Sequence, residues 1–125
     1  MTTVLVVDDE PLIAMALEAA LEDAGYRVET AANGRQGLER LAEVQADIVL
    51  LDMMMPVMNG PAMLEAMAAD PGLRSIPVIV LSSLPETTIR GQVDGAIAIV
   101  RKPYTADQIL TAIVRVLGEA GRPET

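Results

Sequence analysis

Four stretches far apart in this chain carry groups that could do chemistry together. They are the acidic run Asp8-Asp9-Glu10, the acid Asp52, the hydroxyl pair Ser82-Ser83 and the ammonium of Lys102. Clustered carboxylates repel one another and raise each other's pKa unless a cation neutralises them. All the candidate ligand atoms are oxygens, which suits a hard divalent ion such as Mg2+. Magnesium keeps several waters and favours one or two carboxylates plus a phosphate over an all-protein cage. A site of this kind is suited to receive a phosphoryl group. Asp52 would be the nucleophile that forms an acyl phosphate. The metal, the Ser82 hydroxyl and the Lys102 ammonium would share the phosphoryl oxygens during an in-line transfer. Lys102 is the only lysine beside eight arginines, and a compact charge on a flexible stem serves that role where a rigid fork would not.

Taken singly, each residue has an ordinary reading: Asp9 as a helix cap, Asp8 as a loop acid, Asp52 as a turn residue, Ser82 as a strand end, Lys102 as a solvated lysine. Their coincidence at the ends of four strands of one sheet favours chemistry. Strand readings fall on Val4–Val7, Tyr26–Thr30, Ile48–Leu51, Val78–Leu81 and Ile97–Val100. The apolar run ending at Asp52 has the unbroken Ile/Val/Leu content of a strand buried on both faces. Pro56 and Asn59-Gly60 then enforce a turn, so Asp52 sits at the carboxyl end, where ligands gather in open α/β sheets. Helical readings fall on Pro11–Ala24, Arg35–Val44, Pro61–Ala69, Glu86–Gln92 and Ala106–Leu117. Five strands interleaved with five helices predict an α/β fold with a parallel sheet covered on both faces. The second strand reads as an edge, the first and third as central.

The punctuation is consistent with these elements. Asp9 and Thr105 are expected to cap the first and last helices, Asn33-Gly34 to open the second, and Gly25 to end the first. The segment Pro85-Glu86-Thr87-Thr88-Ile89-Arg90-Gly91 is poor in helix formers, so the fourth helix is expected to be short or mobile. Residues 1–118 are expected to form one domain and 119–125 a flexible tail, with no output domain after it.

Composition narrows the possibilities. Half the residues are hydrophobic, yet Phe and Trp are absent and Tyr26 and Tyr104 are the only aromatics. The core is therefore aliphatic, with methionine filling irregular gaps. With neither cysteine nor histidine, disulfides, thiolate catalysis and histidine ligands are excluded. A net charge of −9 without a basic block speaks against direct nucleic-acid binding. No apolar run reaches the length of a membrane span and no signal-peptide start is present, so a cytoplasmic protein with no membrane association is expected.

These residues resemble the receiver domain of bacterial two-component response regulators, of the single-domain, chemotaxis-regulator-like kind. The likeness lies in Asp8-Asp9, the stretch Asp52-Met53-Met54-Met55-Pro56-Val57-Met58-Asn59-Gly60, the strand Pro77–Ser83 and Lys102-Pro103-Tyr104, and it extends to about Leu117. It implies a flavodoxin-like doubly wound sheet of five parallel strands, order 2-1-3-4-5, with five helices. It further implies that Asp52 accepts phosphate from a sensor histidine kinase or phosphotransfer protein. Asp8, Asp9, Asp52 and the backbone carbonyl of Met54 would hold Mg2+, and Ser82 would be the switching hydroxyl that alters a surface for a downstream protein target. Lys102-Pro103 would carry a cis peptide, and the protein would be a monomer or weak dimer that catalyses only its own phosphorylation and dephosphorylation. Kinase docking would use Ala14, Met15, Glu18 and Pro103–Thr105.

Three features depart from the family pattern. Ile99 stands where many receivers carry an aromatic, the interval from Ser82 to Lys102 is short, and the positions flanking the acyl phosphate, Met54 and Leu84, are apolar. A receiver of a hybrid histidine kinase or a phosphorelay intermediate fits the same residues. A haloacid-dehalogenase-like phosphatase would need an aspartate where Met54 stands. A flavin carrier would need a Ser/Thr/Gly-rich loop in place of Asp8-Asp9-Glu10. A phosphorylation-independent interaction module would have no use for the complete acidic set.

Overall fold

The computed structural model describes residues 1–84 and 98–119. In chain order these form β1 (Thr3–Val7), α1 (Pro11–Asp23), β2 (Arg27–Ala31), α2 (Gly34–Glu43), β3 (Ile48–Asp52), α3 (Gly60–Ala68), β4 (Val78–Ser82), β5 (Ala98–Arg101) and a last helix, here α4 (Ala106–Glu119). The five strands make one sheet of order β2-β1-β3-β4-β5, parallel at every pairing. This is the expected topology, with β2 and β5 at the edges. Four helices lie among the described residues; the expected segment Glu86–Gln92 lies outside them, as does the tail from residue 120.

Alternation along the strands sorts the core into two layers. Leu5, Val7, Val49, Leu51, Val78 and Val80 face α2 and α3, meeting Leu41, Met63, Leu64 and Met67. Val4, Val6, Ile48, Leu50, Ile79 and Leu81 face α1 and α4, meeting Leu17, Leu21, Ile109 and Ile113. Burial on both faces accounts for the unbroken apolar runs of β1, β3 and β4, which are buried throughout. β2, at the sheet edge, is only partly buried: Val28 and Ala31 are enclosed, Glu29 and Thr30 half-buried and Arg27 exposed.

The helix ends are set locally. Asn33 Oδ1 accepts from Gln36 N at 2.9 Å while Gln36 Oε1 accepts from Ala32 N at 2.8 Å. Thr105 and Gln108 bond reciprocally at the start of α4, Thr105 Oγ1 accepting from Gln108 N and Gln108 Oε1 from Thr105 N, a capping box, whereas at α2 the returning bond reaches one residue further, to Ala32 N. Asn59 Oδ1 caps α3 through Ala62 N at 3.0 Å. Gly25 ends the first helical unit at φ +97, a left-handed conformation that costs glycine least.

The expectation for Asp9 is corrected. Glu10 occupies the N-cap position of α1 and no side chain caps the helix. Pro11 follows at the first turn and brings no N–H to satisfy. The local bond comes instead from Asp8, whose Oδ1 accepts from Glu10 N at 2.9 Å. Asp9 is thereby left exposed and free of backbone duty.

Candidate functional site

The chain reverses its order of addition between β1 and β3, since β1 has β2 on one side and β3 on the other. At such a point the loops after the strands diverge and leave a cleft. Asp8 follows β1, Asp52 and Ser82 end β3 and β4, and Lys102 follows β5. The same alternation that sorts the core carries Asp8, Asp52 and Lys102 toward the α1/α4 layer and Ser82 toward the α2/α3 layer. The four groups therefore meet at the rim from both sides of the sheet.

Burial separates their roles. Asp8 is 2% exposed, Asp52 5% and Ser82 3%, whereas Asp9 is open to solvent. One carboxylate oxygen from each of Asp8, Asp9 and Asp52 lies within 4.8 Å of the others. Lys102 Nζ donates to Asp52 Oδ1 at 3.0 Å. Ser82 Oγ accepts from Leu84 N at 3.0 Å, which turns the chain sharply after β4. A cleft of about 280 Å³ is lined by Asp9, Glu10, Asp52, Met53, Met54, Ser82, Ser83 and Lys102.

The electrostatics leave the cluster short of positive charge. Burial pushes the Asp8 carboxyl above its ordinary value; the bond from Glu10 N opposes this, the Asp52 charge adds to it, Lys102 opposes it and Asp9 adds to it. Asp8 Oδ2 is buried with no hydrogen-bond partner. A buried carboxylate oxygen left this way is costly. Three convergent carboxylate oxygens, on acids one of which has a buried oxygen without a partner, are the hard donor set a small divalent cation takes, so the residues present fit Mg2+.

The loop after β3 is fixed by close backbone approach. Gly60 N donates to Met53 O at 3.0 Å, and a Cβ at Gly60 would lie 2.7 Å from Asp52 O and 2.9 Å from Met53 Cα. Gly34 N donates to Met58 O at 2.8 Å, tying the same loop to the start of α2. Between these anchors Met54 is 71% exposed. Val57 adopts φ 67, an uncommon conformation for a β-branched residue.

The structure thus brings together Asp8, Asp9, Asp52, Ser82 and Lys102, with Met54 on the cleft wall. The Lys102-Pro103 peptide is cis. Among the expected docking residues, Met15 is exposed and Ala14 is mostly buried against the core, lining a cleft with Met15 and Glu18. Leu12, 80% exposed and one turn before Met15, holds the open position that the sequence reading missed. Its i,i+3 spacing from Met15 was the available signal. Ile99 is half-buried against the α2/α3 layer. Among the described residues, no helix is long and apolar enough to cross a membrane.

Comparison with known proteins agrees with this geometry. The sequence profile of the response regulator receiver domain matches residues 4–114. The chain is 38% identical over 115 residues to the transcriptional regulatory protein KdpE of Mycobacterium tuberculosis, covering 90% of this chain and 50% of KdpE. It spans about half the length of the curated relatives it matches. The signal receiver domain of a signal transduction histidine kinase from Syntrophus aciditrophicus superposes with a TM-score of 0.89 at 32% identity, covering 100% of this chain and 96% of that one. The receiver domain of the sensor histidine kinase PA1611 of Pseudomonas aeruginosa, solved with a magnesium ion coordinated in its active site cleft, superposes with a TM-score of 0.86 at 26% identity, covering 94% of this chain and 98% of that one. With the profile spanning nearly the whole chain and the same sheet order and acid cleft in place, this chain belongs to the receiver domain family of two-component response regulators.

Proposed function

We propose that Asp52 is the phosphoacceptor, taking a phosphoryl group from a histidine kinase or phosphotransfer protein and thereby switching a surface read by a downstream protein. The observation that carries this reading is the Lys102–Asp52 ion pair at 3.0 Å, set inside a ring of three acids. The one lysine of the chain reaches the one acid that ends a central strand.

Asp8, Asp9, Asp52 and the Met54 carbonyl would hold Mg2+. When bound, the ion supplies Lewis-acid neutralisation of the phosphoryl oxygens. A carboxylate oxygen of Asp52 attacks the phosphorus in line, forming a P–O bond. The bond to the leaving group breaks, and that group keeps the electron pair and takes a proton from solvent. Lys102 shifts from the carboxylate to a phosphoryl oxygen, where its charge offsets the developing negative charge. The Ser82 hydroxyl turns from Leu84 N toward another phosphoryl oxygen, so the turn at Ser83 and Leu84 moves with it. Phosphorylation then acts as a local charge event that biases a two-state element. The catalysis is confined to the chain's own carboxylate.

Incubation with acetyl phosphate and Mg2+, followed by intact-mass measurement, tests this. An adduct of one phosphoryl group is expected, absent in Asp52→Asn. An adduct that persists in that variant, or none in the parent, removes the proposal. A phosphatase would need a second acid at Met54, and among the described residues the acids lining the cleft are Asp9, Glu10 and Asp52.

A further inference from the structure

The loop after β3 carries Met53, Met54 and Met55 in a row, and the fold treats them differently. Met53 is 4% exposed and packs into the α2/α3 layer. Met55 and Met58 are half-buried against the same layer. The bonds from Gly60 N to Met53 O and from Gly34 N to Met58 O hold both ends of the segment inward. Met54 stands between them, 71% exposed, and lines the cleft with Asp52, Ser82 and Lys102. Met63 and Met67, in α3, are buried in the core. Met1 and Met15 are exposed as well, but neither lines this cleft. The chain has no cysteine, so its polarizable thioethers are its sulfur groups. Open thioethers meet a dissolved oxidant before buried ones do. Met54 is the open one that borders the reactive acid.

We infer that Met54 is an oxidation site through which a peroxide shortens the lifetime of the phosphorylated protein. The thioether sulfur attacks one peroxide oxygen, so an S–O bond forms and the O–O bond breaks. Sulfur is oxidised by two electrons and hydrogen peroxide is reduced. The transferred oxygen gives its proton to the departing hydroxide, which leaves as water. The product is a sulfoxide, polar where an apolar side chain stood. On the wall beside Asp52 its oxygen accepts from an attacking water and orients it, an anchor that the weakly accepting thioether does not give. Sulfoxide reductases restore the thioether, so the change is reversible. The inference rests on the reading of Asp52 as the phosphoacceptor.

The test treats the whole protein and Met54→Leu with dilute hydrogen peroxide and maps the added oxygen by peptide mass. Both are then loaded with acetyl phosphate and Mg2+, the donor is removed, and decay of the adduct is followed by intact mass. Met54 is expected to take up oxygen ahead of Met53, Met63 and Met67. The adduct is expected to decay on the order of tenfold faster in the oxidised parent than in the untreated one. Met54→Leu, still oxidised at Met1 and Met15, is expected to decay alike with and without peroxide. Methionine sulfoxide reductase is expected to return the oxidised parent to its untreated rate. An oxidised parent that forms no adduct, or one that decays at the untreated rate, overturns the inference and leaves the proposed function standing. So does an acceleration that persists in Met54→Leu, or a Met54 no more reactive than the buried methionines. An untreated parent that forms no adduct overturns both.

Discussion

Lys102 Nζ lies 3.0 Å from Asp52 Oδ1 although fifty residues separate them. The lysine is partly open to solvent while the carboxylate is nearly enclosed, so the cation reaches in from the rim to an acid that cannot move out. Two further acids stand within 4.8 Å, and one ammonium does not balance three carboxylates. The imbalance is the physical reason the cluster favours a bound cation.

Replacing Lys102 by Ala removes the ammonium paired with Asp52, which under the proposed function would follow the phosphoryl oxygens. The rate of adduct formation with acetyl phosphate is expected to fall on the order of a hundredfold, the scale of losing one preorganised donor. Lys102→Arg keeps the charge but not the compact geometry and is expected to recover only part of the rate. Time-resolved intact mass reads both, and parent-like rates in Lys102→Ala would remove the assigned role.

The buried acid Asp8 sets a pH dependence. Its folded pKa is raised above the unfolded value, chiefly by burial. Between the two values the native state binds more protons than the unfolded state, so stability falls as pH rises through the folded pKa. Lowering the pH from neutral toward the ordinary carboxylate range is therefore expected to raise the unfolding midpoint of the metal-free protein at this site. Asp8→Asn should flatten that gain, and saturating Mg2+ should oppose it. Calorimetric scans across pH, with and without chelator, check the sign; an identical pH slope in Asp8→Asn contradicts it.

Met54 is exposed on the cleft wall and Leu84 follows Ser82 at a turn, so neither offers attacking water a polar anchor. The phosphorylated protein is expected to persist. Met54→Asn and Leu84→Glu are each expected to speed its decay on the order of tenfold, a modest return for a positioned polar group. Unchanged decay in both variants would show that these side chains only pack the loop.

Val57 holds φ 67 on an open surface. A left-handed backbone costs an ordinary residue about 1–2 kcal/mol, while glycine gives back about 0.4–1 kcal/mol through the unfolded chain. Val57→Gly is expected to stabilise the fold by about 0.5 kcal/mol net. Urea unfolding with an unchanged slope measures it, and a loss of stability contradicts it.

Gly60→Ala is expected to do the opposite. The added carbon would meet backbone atoms of Asp52 and Met53 that have no room to retreat. A loss of about 1–3 kcal/mol is expected from overpacking, together with slower phosphorylation as Asp52 is displaced. Parent-like stability would show that α3 can shift without cost.

The strands were legible to within a residue at each end; for β1, β3 and β4 this is because their bounds are the bounds of apolar runs, and Asp52 sits where its run stops. Asn33, Thr105 and Gly25 act as expected because capping is decided within four residues. Asp9 misled because Asp8, one residue earlier, turns its own oxygen onto Glu10 N, a choice driven by the burial of β1. Ala14 is mostly buried because α1 covers the sheet with the face that carries it, which the residue type alone does not show. The contact of Gly60 with Asp52 depends on packing between distant segments, and no local pattern announces it.

Ser82 leaves the sheet on one side while Asp52 and Lys102 leave it on the other. A tetrahedral group gripped by all three would act as a rivet through the sheet edge, fastening the two helical layers to each other. Loading it should slow amide exchange in both layers at once, at the ends of α1 and α3 that border the cleft, although they share no direct contact with the transferred group.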